Sequence, residues 1–184
     1  MNETQENDLN RIFNALSRLI YIRPDYEDSF KAWVKERIEY FPEGNTATQE
    51  ELDDIGVDLK MNSCFWNSQK ITLKRSEYLY YEGFAISNNS FDSMYHAFNI
   101  KGQNVKDFTA LVHFKERKYR YHGINISGDF VRKFHELQKY EEARNINAQY
   151  IPWCPVLNIY FYVDQGLKLE DVYKYIIENK TVFF

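Results

Sequence analysis

The stretch Tyr95-His96-Ala97-Phe98-Asn99-Ile100-Lys101-Gly102-Gln103-Asn104-Val105-Lys106-Asp107 reads as two strands folded about a tight turn. Tyr, Phe, Ile and Val occupy its flanks, and Lys101-Gly102 supplies a residue that reverses the chain at little steric cost. A turn centred there pairs Ile100 with Gln103 and, counted outward, His96 with Asp107. Directly opposed residues leave the same sheet face with Cβ atoms roughly 4.5–5.5 Å apart. The spacing therefore predicts an imidazole beside a carboxylate.

Outward from this hairpin, Tyr78 to Ile86, Val105 to Phe114 and Tyr119 to Ile126 are rich in the same residue types, with turns at Asn88 to Ser90 and Lys115 to Lys118. An antiparallel meander of about four or five strands follows. Upstream, Leu9, Ile12, Phe13, Leu16, Leu19 and Ile20 recur at helical spacing. Phe30, Trp33, Val34, Ile38 and Phe41 draw a second apolar stripe behind a cap at Asp25, and Pro42 ends it. Residues 43–60 are polar and aperiodic, apart from a turn of helix near Glu50 to Ile55, and read as a connecting loop over the site that follows. Helices are expected over Asp129 to Arg144 and Leu169 to Glu178, while Leu157 to Val163 fits a strand or a buried helix.

The class is α+β: N-terminal helices, a central helix that begins at Cys64, a sheet packed on it, and further helices toward the C-terminus. One domain is expected over residues 1–184, with 1–45 helical, 61–126 carrying the helix and sheet, and 127–184 the C-terminal helices and the possible strand. A chain of 184 residues, 44% of them hydrophobic and 27% charged, buries enough surface for a core without disulfides. The 15 Tyr and 14 Phe suit a half-buried sheet face, because Tyr combines an apolar ring with a hydrogen-bonding tip.

A net charge of −4 argues against nucleic-acid binding, which calls for a basic patch. Cys64 and Cys154 lie in unlike contexts, Cys154 reading as a buried structural residue between Trp153 and Pro155. Residues 1–8 are polar and acidic, without the pattern of a secretory signal, and no apolar run approaches the ~18 residues that span a bilayer. The expectation is a cytoplasmic protein, in a host cytoplasm if phage-encoded, with no membrane partner. His113, His122 and His135 are too scattered to hold zinc with Cys154, and no glycine-rich phosphate loop is present, so neither a metal nor a cofactor is expected.

Ser63 is a natural N-cap and Cys64 then falls at the first helical position. Amides and dipole at a helix start favour negative charge, which suits a nucleophilic thiolate and the oxyanion of an attacked carbonyl. With Asp107 orienting His96 as the base, the three residues have the makings of a nucleophilic centre.

This order of residues resembles the papain-like and transglutaminase-like cysteine enzymes. The likeness is local, covering Cys64-Phe65-Trp66-Asn67, Tyr81-Glu82-Gly83-Phe84, His96-Ala97-Phe98-Asn99 and Asp107-Phe108-Thr109, a pattern also seen in small bacterial and phage proteins. Phe98 stands where these families have Trp, and Phe108 where Pro often follows the Asp. The resemblance implies Cys64 as nucleophile, His96 as general base and acid, and Asp107 as orienting carboxylate. Asn67, Glu82, Trp66 and Asn99 become candidates for supporting or substrate-binding roles. The activity implied is amide hydrolysis or acyl transfer, of peptidase, isopeptidase, amidase or deamidase type, on a protein, peptide or small amide. The alternative is a non-catalytic binding or inhibitory module on the same fold, such as a phage protein that sequesters a host factor.

Overall fold

Leu9, Ile12 and Leu16 recur every third or fourth residue and are buried along one side of α1 (Glu3–Leu19), the spacing that lays a helix on a core. A computed structural model of the chain describes residues 3–19, 22–87, 93–113, 118–144 and 155–178. The turn expected at 88–90, residues 115–117 of the turn expected at 115–118, and Cys154 lie outside these residues. Among the described residues there are eight α-helices and one five-stranded antiparallel sheet, an α+β architecture.

The second apolar stripe splits in two. Phe30, Trp33 and Val34 are buried on α2 (Glu27–Arg37), but Ile38 turns extended, and the next residues form β1 (Glu39–Phe41), paired with β5 (Tyr119–Ile126). Helical periodicity ran past the true end because edge pairing with a strand some eighty residues away cannot be read locally. Asp25 does not cap α2; it lies within a 3-10 turn, Pro24–Tyr26, and is bound by Arg23. Within the expected loop, α3 (Gln49–Ile55) is a full helix held by a capping box between Thr48 and Glu51.

The strand order is β1, β5, β2 (Leu79–Ser87), β3 (Ser93–Lys101), β4 (Asn104–Lys106), so the sheet is not a sequential meander. β5 returns past the hairpin to pair with β2 from Tyr80↔Ile126 to Ser87↔Tyr119. This leaves β2 internal, where both of its faces are covered. The segment expected as a strand to residue 114 stops at Lys106; α5 (Phe108–His113) replaces the rest. Leu157 to Val163 resolves as a helix, α7 (Leu157–Asp164), between α6 (Gly128–Arg144) and α8 (Leu169–Glu178).

Side chains alternate across a strand, and the two sheet faces carry different cores. On one, Tyr80, Phe84, Ile86, Ala97, Ile124 and Ile126 pack with residues of α1, α2, α6 and α7. The other joins Tyr81, Ala85, Phe98, Ile100, Val105, Tyr119 and Tyr121. A third, smaller core binds α3 to α4 (Cys64–Lys74) and α5 through Leu52, Ile55, Ile71 and Phe108. No helix among the described residues is long and apolar enough to cross a membrane.

Candidate active site

The hairpin turn falls one residue later than the spacing predicts. Lys101 pairs with Asn104, Ile100 with Val105 and Asn99 with Lys106, and Gly102 takes the left-handed φ of 64° that the tight turn demands. His96 is therefore not opposite Asp107 in the ladder. The two meet by another route: Asp107 leaves the strand and caps α5, its Oδ1 accepting from the Ala110 amide at 2.8 Å. That cap turns Oδ2 toward His96 Nε2, 2.7 Å away, with both side chains 1% exposed.

Asp107 is held from three further directions. Asn45 brackets its backbone, donating from Nδ2 to the Asp107 carbonyl at 2.7 Å and accepting the Asp107 amide on Oδ1 at 2.9 Å. The Tyr121 hydroxyl donates to Oδ2 at 3.0 Å. Sequence reasoning missed both residues. Asn45 sits in the segment expected to lie over the site, and only its position just before the α3 capping box hinted at a turn. Tyr121 carries no local signal, because its approach depends on β5 pairing with β2.

A carboxylate only accepts hydrogen bonds, so Nε2 of His96 carries the proton and Nδ1 is left with a lone pair when the ring is neutral. Nδ1 is buried and makes no directed hydrogen bond. The thiol of Cys64 is nonetheless near enough to act on the ring. Burial works against a charged imidazole, but the Asp107 carboxylate outweighs it and Cys64 adds to the same effect, holding His96 well above the ordinary histidine range.

Cys64 opens α4 and is a free, half-buried thiol. Ser63 does not cap the helix; its hydroxyl donates to the Met61 carbonyl at 3.0 Å, so its side chain leaves the first amides of α4 unclaimed. Asn62, at a left-handed φ of 54°, makes the turn into the helix. Asn is among the few residues that tolerate this backbone shape.

Of the four supporting candidates, one belongs to the frame of the site. Asn67 is fully buried, exchanges hydrogen bonds with the Lys60 amide and carbonyl at 2.9 Å each, and donates to Thr109 at 3.1 Å. It ties the approach to Cys64 to the helix behind Asp107. Trp66 is half-buried, with the Lys60 and Lys70 ammonium groups each 4.4 Å from its ring centre.

Asn99 and Glu82 project from the sheet face opposite to His96. Asn99 holds α4 to β3 through the Ser68 carbonyl at 3.0 Å and Thr72 Oγ1 at 2.9 Å. Glu82 receives the Tyr80 and Tyr95 hydroxyls and the Val156 and Leu157 amides, which caps the start of α7. Neither faces His96; Asn99 ties β3 to α4, and Glu82 ties β2 to α7.

Two of the other histidines are bound elsewhere, His122 to Asp8 at 3.0 Å and His135 to Gln69 at 2.9 Å, and His113 lies at the end of α5. Among the described residues no three metal-ligating side chains come together. Compared with protein-family models, with curated proteins and with solved structures, the chain matches none.

Proposed function

We propose that the protein is a cysteine-dependent amide hydrolase or acyl transferase, working through a thioester on a papain-like or transglutaminase-like arrangement of groups. The observation that carries this reading is the orientation of His96, whose Nε2 is committed to Asp107 while Nδ1 is left to Cys64. An imidazole bound in this way can take a proton from sulfur without losing its own tautomer.

In the mechanism proposed, the proton given up by the thiol is held on Nδ1 of His96, and the thiolate adds to the amide carbonyl. The resulting oxyanion lies against the amides at the start of α4, which Ser63 does not cap. As the tetrahedral species collapses, the C–N bond breaks and the amine departs with the proton from Nδ1, leaving the acyl group on Cys64. A water deprotonated by His96 then attacks the thioester and releases the acid, or an amine attacks in its place and the acyl group is transferred. Both outcomes return the proton to Nδ1 and restore the starting Cys64–His96 pair. Such chemistry needs a reduced thiol, which fits a cytoplasmic setting. Substrates would be proteins, peptides or small amides.

A binding or inhibitory module is the second reading, favoured by the absence of a directed bond at Nδ1. Alkylation by iodoacetamide at mildly acidic pH separates the two: the enzyme reading expects Cys64 to react faster than a free thiol, the module reading no faster. Incubation with cell extract, followed by intact-mass measurement, should add an acyl group to the wild type and none to Cys64→Ala.

A further inference from the structure

Two donors meet on a single oxygen at the buried carboxylate. Oδ2 of Asp107 accepts from His96 Nε2 at 2.7 Å and from the Tyr121 hydroxyl at 3.0 Å, while Oδ1 is occupied by the Ala110 amide at 2.8 Å. Tyr121 is completely buried, and its ring is set by its neighbours. It packs 5.0 Å from Phe98, which stacks 5.7 Å from Tyr81 and lies over Gly123, where an added Cβ would come 2.7 Å from the Phe98 ring. The hydroxyl is therefore aimed by packing and not by free rotation of the side chain. Burial, and then the neighbouring carboxylate, push its pKa far above the ordinary tyrosine range, so it stays a donor throughout the working pH range.

We propose that Tyr121 is a positioning residue for the His96 proton. By sharing Oδ2 with Nε2 it fixes the carboxylate's orientation and limits how strongly that carboxylate draws on the imidazole, and so sets the pH at which His96 changes charge. The inference rests on the role given to His96 above. The physical reason is competition: each donor on a carboxylate disperses part of its charge, and a carboxylate with fewer donors holds an imidazolium more tightly. Among the described residues, Asp107, Cys64 and Tyr121 are the titratable groups set against His96, and Tyr121 is a neutral donor whose strength can be altered without changing the charge of the site.

The test follows the ring nitrogens of His96 by 15N–1H correlation spectra of the full chain, between about pH 5 and 10. Tyr121→Phe should move the His96 titration to higher pH. Fluorotyrosine placed at position 121 keeps the size of the ring but donates more strongly, and should move it to lower pH. Opposite displacements cannot come from a loss of packing, and the fluorinated variant retains its fold if Tyr121→Phe does not. Coincident titrations in the wild type and the fluorotyrosine variant overturn the proposal. Because the readout is the imidazole itself, that result is distinguishable from failure of the hydrolase reading, which would appear as an unreactive Cys64 in the wild type.

Discussion

Glu82 offers a quantitative test of what holds the interior together. Its carboxyl is fully buried and accepts four hydrogen bonds, from Tyr80 Oη at 2.5 Å, Tyr95 Oη at 2.9 Å, and the amides of Val156 at 2.6 Å and Leu157 at 3.0 Å. Burial favours the neutral acid and the four donors favour the ion; burial wins, and the carboxyl is pushed up from 4.5 to about 7. A group whose pKa rises on folding holds its proton more tightly in the native state. Its favourable contribution is complete below about pH 4.5 and is lost as the pH climbs through about 7. At about 1.4 kcal/mol per pH unit the loss is on the order of 3 kcal/mol.

Urea unfolding followed by tryptophan fluorescence, for wild type and Glu82→Gln across this interval, isolates the effect because the variant does not titrate at this position. At low pH the variant should be the less stable by about 1–3 kcal/mol, since its amide NH2 opposes one of the four donors. By pH 8 the gap should close by roughly the 3 kcal/mol above or reverse. A gap that is independent of pH, or that widens as pH rises, would show that the four donors outweigh burial and would refute the reasoning.

Asp107→Asn should keep the fold but allow the amide to donate to Nε2, placing the histidine proton on Nδ1, where it cannot accept from sulfur. Loss of activity of roughly a thousandfold or more is expected once a substrate is known, and before then selective alkylation of Cys64 should disappear while the thermal melt stays near that of the wild type. In Gly83→Ala the new Cβ would lie 2.0 Å from the His122 carbonyl oxygen and 2.5 Å from the Gly123 Cα, prying β2 from β5; chemical denaturation should register a loss of about 3 kcal/mol or more. Asp8→Ala removes the α1 carboxylate that binds Arg120 at 2.6 Å and His122 at 3.0 Å. A destabilisation of about 3–5 kcal/mol is expected by urea titration at neutral pH. Burial pushes Asp8 up, but Arg120 and then His122 pull it below its ordinary value, so that contribution is present above about pH 4 and lost as the pH falls through the lowered value; the variant and wild type should converge in acid.

The meeting of His96 and Asp107 shows how a local reading can reach the right neighbours by the wrong path. The ladder is displaced by two positions from the register that a Lys101-Gly102 turn would set. Since pleating repeats every two residues, a shift of two keeps every side chain on its face, whereas a shift of one would have turned His96 away. The same parity argument separates Asn99 from His96, three positions apart on one strand, and could have withdrawn Asn99 from the site on sequence alone. α5 was misread because Phe108 to His113 is too short for its period to distinguish helix from strand; the helix cap at Asp107 was the better signal.

Residue order alone determined the apolar stripes of α1, α6 and α8, the helix that opens at Cys64, and the hairpin that brings imidazole and carboxylate to one side of the sheet, because these rest on periods of two and 3.6 within short stretches. Tertiary structure decided the insertion of β5 between β1 and β2, and with it the Tyr121 hydroxyl on Asp107, the Asn45 bracket and the burial of Glu82 under α7. Each of these joins residues far apart in the chain, and such contacts are chosen by which faces can be buried together, a property no short window of sequence contains.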